Sequence, residues 1–426
     1  MGVRAYLLVV VACAVWLGLR AATQPSGFDF DEAAHLGTIA EMREFGGLAP
    51  ADRFPEIIVN PRSVEPRFHM FPPLPYVAVA AATAVGQTDP TAAGVLGIGR
   101  AFAALMALCT VVAVGLAVRN LQCPHATWNV PAIVTVGLAL TPGVHAMGAS
   151  VTASTWALAA VGFICLTTTW AVRLDWSLGA TAAVVGAAAF AVAARASAYP
   201  LLVLIPLAML ASRISLRAAV VRLGAMAVVV ILANGWWMLR NLLVTGDLLG
   251  ANVYLSTVAE VAACNIARES QEWCREATGP WPAWTLLTST DIFWVFLSRM
   301  LVRRTWIDSL TIVLWIGMVV LPAATVVIYR VRHAVSGRLA SFPLVLAASG
   351  AGAALLAFAL AVNLSAQMGW SIYARDAFIA LIPLVVAVAV LADLRHDRLR
   401  TLCLGSGLAF AAAANFGFML AVLPDV

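Results

Sequence analysis

The chain has 426 residues, 62% of them apolar and 11% charged, with a mean hydropathy of +0.92. Soluble proteins run near ~45–50% apolar and ~25% charged, so a soluble enzyme is excluded; at roughly 35 residues per span and connection, the length fits about twelve passes of a bilayer. All 26 basic residues are arginine, the net charge is +5, and no block of like charge points to nucleic acid.

The first element is MGVR followed by AYLLVVVACAVWLGL, with Arg20 directly behind, which predicts a retained membrane helix at about 5–22 in preference to a cleaved signal peptide. Further runs long enough to span lie at about 95–118, 128–147, 150–171, 177–194, 197–212, 222–239, 308–329, 340–362, 376–393 and 401–422, about eleven helices in all. Two ambiguous stretches, 73–87 and 284–301, are read as interfacial helices from the arginine pattern. With both lying flat and Arg4 inside, the basic turns around Arg119, Arg173, Arg213, Arg217, Arg222, Arg330, Arg332, Arg338, Arg395, Arg398 and Arg400 all fall on the cytoplasmic side. Asp175, Asp393 and Asp397 then lie inside, and the other 18 of the 21 carboxylates lie outside or at the outer rim. The long connections, 23–94 and 240–307, are also outer, so the chemistry is expected there. The short cytoplasmic turns leave no room for a nucleotide-binding domain. The expectation is an all-α polytopic membrane protein, one transmembrane domain over 1–426 with interfacial helices in two outer loops.

Several outer segments carry polar residues in suggestive patterns. GFDFDEAAHLGTIAEMREFGG predicts a helix opened by Asp31 and Glu32, running to about Phe45 and stopped by Gly46-Gly47. Asp31 and His35 share a face at i, i+4, and Asp29 on the approach can point to the same spot. Helix capping by the acids is the structural alternative. RFHMFPPLPY sets His69 before a stiff start at Pro72 and Pro73. Gly94, Gly97 and Gly99 lack the spacing of a dinucleotide fingerprint and suit helix packing, and no P-loop occurs, so no nucleotide cofactor is expected. NGWWMLRNLLVTGDLLG places Trp236 and Trp237 at the outer end of a span, as in an aromatic belt, with Arg240 and Asn241 just beyond. Arg195 and Arg375 sit at outer helix ends, where a guanidinium can bind phosphate bidentately or anchor to headgroups. Cys264 and Cys274, ten residues apart in one outer loop, are a candidate disulfide.

These features, with GIGRAFAALMAL and its Arg100, Arg195 ahead of Pro200, and Tyr373 with Arg375 opening a late helix, follow an order that resembles the GT-C superfamily of integral membrane glycosyltransferases. Protein O-mannosyltransferases and bacterial lipid A aminoarabinose transferases belong to it. The resemblance implies hexosyl or pentosyl transfer from a polyprenyl-phosphate donor to an envelope glycan, lipid or protein, on the extracytoplasmic face of a bacterial plasma membrane. Asp31 or Glu32 matches the first-loop acid that activates the acceptor or holds a divalent cation. Asp31 is the expected base, and Asp29 and Glu32 are the expected ligands of Mg or Mn. Arg195, where relatives often carry a lysine, joins Arg240 and Arg375 on the donor phosphate. His35, His69, Tyr373 and Asn241 are expected to bind substrate. TPGVHAMGASVTASTW departs from the pattern: Thr152 and Ser154 stand where many relatives have an Asn-Asp pair, which bears on substrate choice. The alternative class is a multi-pass transporter or lipid-handling protein without transfer chemistry, which predicts ionisable residues or broken helices near the membrane midplane.

Overall fold

The computed structural model describes residues 1–24, 32–48, 69, 71–89, 91–122, 127–212, 214–248, 382 and 385. The described elements are all helical: α1 (Val3–Thr23), α2 (Glu32–Phe45), α3 (Leu74–Val85), α4 (Ala92–Leu121), α5 (Asn129–Ala139), α6 (Pro142–Ala149), α7 (Ala153–Arg173), α8 (Leu178–Ala194), a 3-10 segment (Ala196–Val203), α9 (Leu204–Ala211) and α10 (Leu216–Thr245). Among the described residues, four helices are long and apolar enough to cross a membrane: α1, α4 from Gly94, α7 and α10. The expected spans at 308–329, 340–362 and 401–422, and the stretch 284–301, lie outside the described residues.

Local chemistry sets the element ends. Thr91, Thr152 and Ser215 cap α4, α7 and α10 by accepting backbone N–H bonds through their hydroxyls. The segments expected as spans at 128–147 and 197–212 are each built in two pieces. Thr141 precedes Pro142 and is therefore extended (φ −66°, ψ 124°), which separates α5 from α6. Pro200 lies inside the 3-10 segment, where its missing N–H is tolerated, and the α geometry resumes at Leu204. At the other extreme, α10 runs continuously past Arg240 and Asn241, which the sequence placed beyond the helix. It ends only at Gly246, whose φ of +73° a side-chain-bearing residue would resist.

Helix α4 is the hub, packed along α7 and touching α1, α2, α3, α5 and α6. Its buried Val114, Ala117 and Val118 meet Ala157, Val161 and Ile164 of α7 in the largest core cluster. Small residues permit the close crossings: a Cβ added to Gly148 of α6 would stand 2.8 Å from Ala107 Cβ, and one added to Gly115 would run into the hydroxyls of Thr135 and Tyr6. Gly115→Leu should therefore destabilise the protein by about 1–3 kcal/mol through overpacking. Thermal unfolding in detergent checks it; an unchanged midpoint would mean that α4 and α5 can separate without cost.

Contacts at the helix ends give the bundle a polarity. Trp128 N–H bonds the Met1 carbonyl at 3.3 Å, the Arg119 guanidinium lies 5.2 Å from the Trp128 ring, and Arg222 Nη2 bonds the Trp176 carbonyl at 3.3 Å. The starts of α1, α5, α8 and α10 thus gather at one end with the finish of α4. The opposite end collects the finish of α1, α8 and α10, the start of α4 and α7, and the paired helices α2 and α3. Of the described carboxylates, Asp175 lies at the first end, while Glu32, Glu41, Glu44, Asp89 and Asp247 lie at the second.

Candidate functional site

The polar end is organised by a buried ion pair. Arg100 lies inside the apolar α4 and is 6% exposed, so its charge requires a partner. Glu32, 1% exposed at the start of α2, supplies it: Nε donates to Oε1 at 2.9 Å and Nη2 to Oε2 at 2.8 Å. The remaining guanidinium nitrogen, Nη1, donates to the Gln24 carbonyl, and Val151 N–H donates to Glu32 Oε1 at 3.0 Å. Gly99 makes the last bond possible, because a Cβ there would stand 2.7 Å from a Val151 methyl. Four segments are tied together through the Glu32–Arg100 pair, and both Glu32 oxygens are engaged by protein donors.

One turn along α2, His35 is 3% exposed and its Nδ1 lies 3.0 Å from the Tyr76 hydroxyl, a bond that either imidazole tautomer can form with the matching phenol orientation. The two rings are near-parallel, 5.6 Å apart. They line a cleft with Gly99, Val151, Thr152 and Trp156, in which the space open to water centres is about 10 Å³, room for about one water. His35 is therefore a buried, oriented group.

A second cluster forms farther along α2. His69 Nε2 donates to Glu41 Oε2 at 2.9 Å, and the His69 carbonyl accepts from Arg240 Nη1 at 3.3 Å. Arg240 Nη1 also lies 3.2 Å from Asn241 Oδ1. Residues from α2, the segment before α3 and the last turns of α10 are thereby joined. The tryptophan pair divides: Trp236 is 53% exposed on the outer surface of α10, whereas Trp237 is 2% exposed and packs inward.

Arg195 follows the last residue of α8 in extended conformation and donates through Nη1 to Ser154 Oγ at 2.7 Å. Ser154 is fully buried in the first turn of α7, and its N–H bonds Thr152 Oγ1. The departure noted in TPGVHAMGASVTASTW thus falls on the partner of Arg195. The Arg222 to Trp176 bond makes α8 and α10 parallel neighbours, and Asn234 Nδ2 bonds the Ala189 carbonyl at 3.2 Å. Arg195 and Arg240 each lie six residues past that bond. At 1.5 Å per residue the backbone at both positions stands about 9 Å above it on neighbouring helices.

Of the residues singled out in the sequence, Glu32, His35, His69, Arg195, Arg240 and Asn241 are described, and all stand at the polar end. Asp29, Asp31, Tyr373, Arg375, Cys264 and Cys274 lie outside the described residues. Sequence reasoning gave Glu41 and Trp237 no role in a site, and no partner to Arg100. The signal for the last was present, since an arginine inside an apolar run calls for an acid, and the nearest polar segment offers one. Among the described residues, no three His, Cys, Asp or Glu side chains come together as metal ligands.

No protein-family model and no curated protein matches the chain. Its fold is similar to that of the Archaeoglobus fulgidus oligosaccharyltransferase in the apo form, with a TM-score of 0.50 at 13% identity over 98% of this chain and 55% of that one. A structure of the same protein in complex with Zn and sulfate gives 0.49 at 14% identity, over 96% and 52%. ArnT from Cupriavidus metallidurans in the apo state gives 0.41 at 14%, over 99% and 76%. The chain spans about half the length of the oligosaccharyltransferase. The resemblance to GT-C glycosyltransferases read in the sequence is thus met by a likeness of fold.

Proposed function

We propose that the protein is a membrane glycosyltransferase that moves a sugar from a polyprenyl-phosphate donor to an envelope acceptor, with its polar end on the extracytoplasmic side. The observation that carries this reading is the pair Arg195 and Arg240, whose backbones stand at one height on neighbouring helices at the rim of an apolar bundle. A lipid phosphate has to sit there if its isoprenoid tail is to stay in the bilayer. The carboxylate bias toward this end, and Arg4, Arg119, Arg173, Arg217 and Arg222 toward the other, support the orientation. The bacterial membrane and the hexosyl or pentosyl class come from the sequence resemblance.

In the proposed reaction the acceptor hydroxyl oxygen forms a bond to the anomeric carbon as the bond from that carbon to the phosphate oxygen breaks. Polyprenyl phosphate leaves with the electron pair, and the hydroxyl proton passes to Asp31, so a single displacement inverts the centre. Arg195 and Arg240, with Arg375 assigned to the same task, hold the phosphate. His35, oriented by Tyr76, and His69, Asn241 and Tyr373 contact substrate. Glu32 acts through Arg100 and Val151 as the positioning residue of α2, and its engaged oxygens do not fit the cation role expected of it beside Asp29. No step is therefore routed through Mg or Mn.

Mass spectrometry of the polyprenyl-phosphate sugar pool tests the reading, in a deletion strain carrying the wild-type gene, no gene, or Asp31→Asn at matched protein levels. A positioned base contributes about 10²–10⁴-fold, so one donor species should accumulate both without the gene and with Asp31→Asn. A pool identical in all three strains would sink donor-consuming transfer and favour the transporter reading.

A further inference from the structure

The last turns of α10 hold a polar group to which neither the fold nor the proposed chemistry has assigned a role. Trp237 is 2% exposed, yet its indole Nε1–H is buried with no hydrogen-bond acceptor among the described residues. The comparable buried indole at the other end of the bundle is satisfied: Trp176 Nε1 donates to Ser212 Oγ at 3.2 Å. A buried donor left without an acceptor is costly, and an indole can only donate, so what completes it must be an oxygen with lone pairs. Trp237 precedes Arg240 by three residues and Asn241 by four, the spacings that share a helix face. All three residues therefore lie on one side of the last turns of α10. The Arg195 backbone stands at the height of Arg240 at the end of α8, and the Asn234 to Ala189 bond lies one turn below Trp237.

We infer that the Trp237 indole N–H is a phosphate-binding donor, taking one oxygen of a lipid phosphate whose remaining charge faces Arg240 and Arg195. The chemistry is complementary: the indole offers one uncharged N–H to a phosphate oxygen, and the guanidinium groups offer charged donors to the others. This rests on the proposed donor site and adds a third, uncharged ligand to it.

The test uses the full-length protein in nanodiscs and native mass spectrometry with undecaprenyl phosphate, undecaprenol and phosphatidylglycerol as probes. Trp237→Phe keeps the ring in the core and removes only the N–H. A hydrogen bond to a charged group corresponds to about a 10- to 100-fold loss of undecaprenyl phosphate affinity, with undecaprenol binding unchanged. In the wild type, the Trp237 indole proton, identified by its absence from the Trp237→Phe spectrum, should move downfield with undecaprenyl phosphate and stay fixed with undecaprenol. Equal undecaprenyl phosphate binding by wild type and variant, or an equal loss for undecaprenol, would overturn the inference while leaving the donor site standing. Equally tight phosphatidylglycerol binding with the same Trp237 dependence would support the phosphate bond and assign it to bulk headgroups. A wild type that binds neither phosphate lipid overturns both readings.

Discussion

Arg100→Ala should destabilise the folded protein by about 3–5 kcal/mol, the range for removing one partner of a buried ion pair. The loss is large because Glu32, 1% exposed, would keep a charge with no cation beside it, and because the Gln24 carbonyl would lose its donor at the same time. Glu32 would keep the bond from the Val151 N–H but lose both of its guanidinium donors. Glu32→Gln should cost less than Glu32→Ala, since an amide oxygen can still accept from Val151. The paired replacement Glu32→Leu with Arg100→Met should recover much of the stability, because apolar groups of similar volume often replace a buried pair without loss. Unfolding in detergent checks the order. The paired variant also separates anchoring from chemistry: folded protein with impaired transfer would identify the pair as what sets α2 over the site. Arg100→Ala within about 1 kcal/mol of wild type would show that the charge finds another partner and that α2 is held by other means.

How much of this was readable beforehand depends on whether the signal was local. Helix α2 was legible to within a residue, because an acidic start, an apolar periodicity and Gly46-Gly47 all act within a few residues. The polar end was legible too, since alternation of spans and the arginine bias carry Glu32, Arg195 and Arg240 to one side without knowledge of packing. What escaped were pairings between distant segments. Glu41 reads as an ordinary solvated acid of an amphipathic helix, and its bond to His69 exists because the approach to α3 folds back along α2. Tryptophans 236 and 237 look alike in sequence; a rotation of 100° per residue places one toward the surface and the other in the core. The broken spans were hidden for a different reason, because hydropathy is blind to Thr141 being held extended by the proline after it.

Arg195→Ala and Arg240→Ala should each lower the turnover of sugar transfer by about 10²–10³-fold, with a smaller change in the apparent affinity for donor. The asymmetry follows from charge. A polyprenyl-phosphate sugar is a phosphodiester with a single negative charge, and its leaving group is a monoester carrying a second. Cations that contact the phosphate therefore attract the transition state more than the bound donor, which is the condition for raising turnover instead of merely binding. Arg195→Lys separates the two properties of that position, keeping the point charge but losing the planar fork. Arg195 Nη1 is bonded to Ser154 Oγ at 2.7 Å, and the planar fork fixes the direction of the side chain through that bond. Lysine should recover only part of the loss, and Ser154→Ala should lower activity less than Arg195→Ala does, since it removes one bond to the arginine and leaves its charge in place. Single-turnover transfer with purified donor measures the split between turnover and affinity. If Arg195→Ala and Arg240→Ala both stay within threefold of wild type, these arginines anchor helices to headgroups, and the phosphate is held elsewhere.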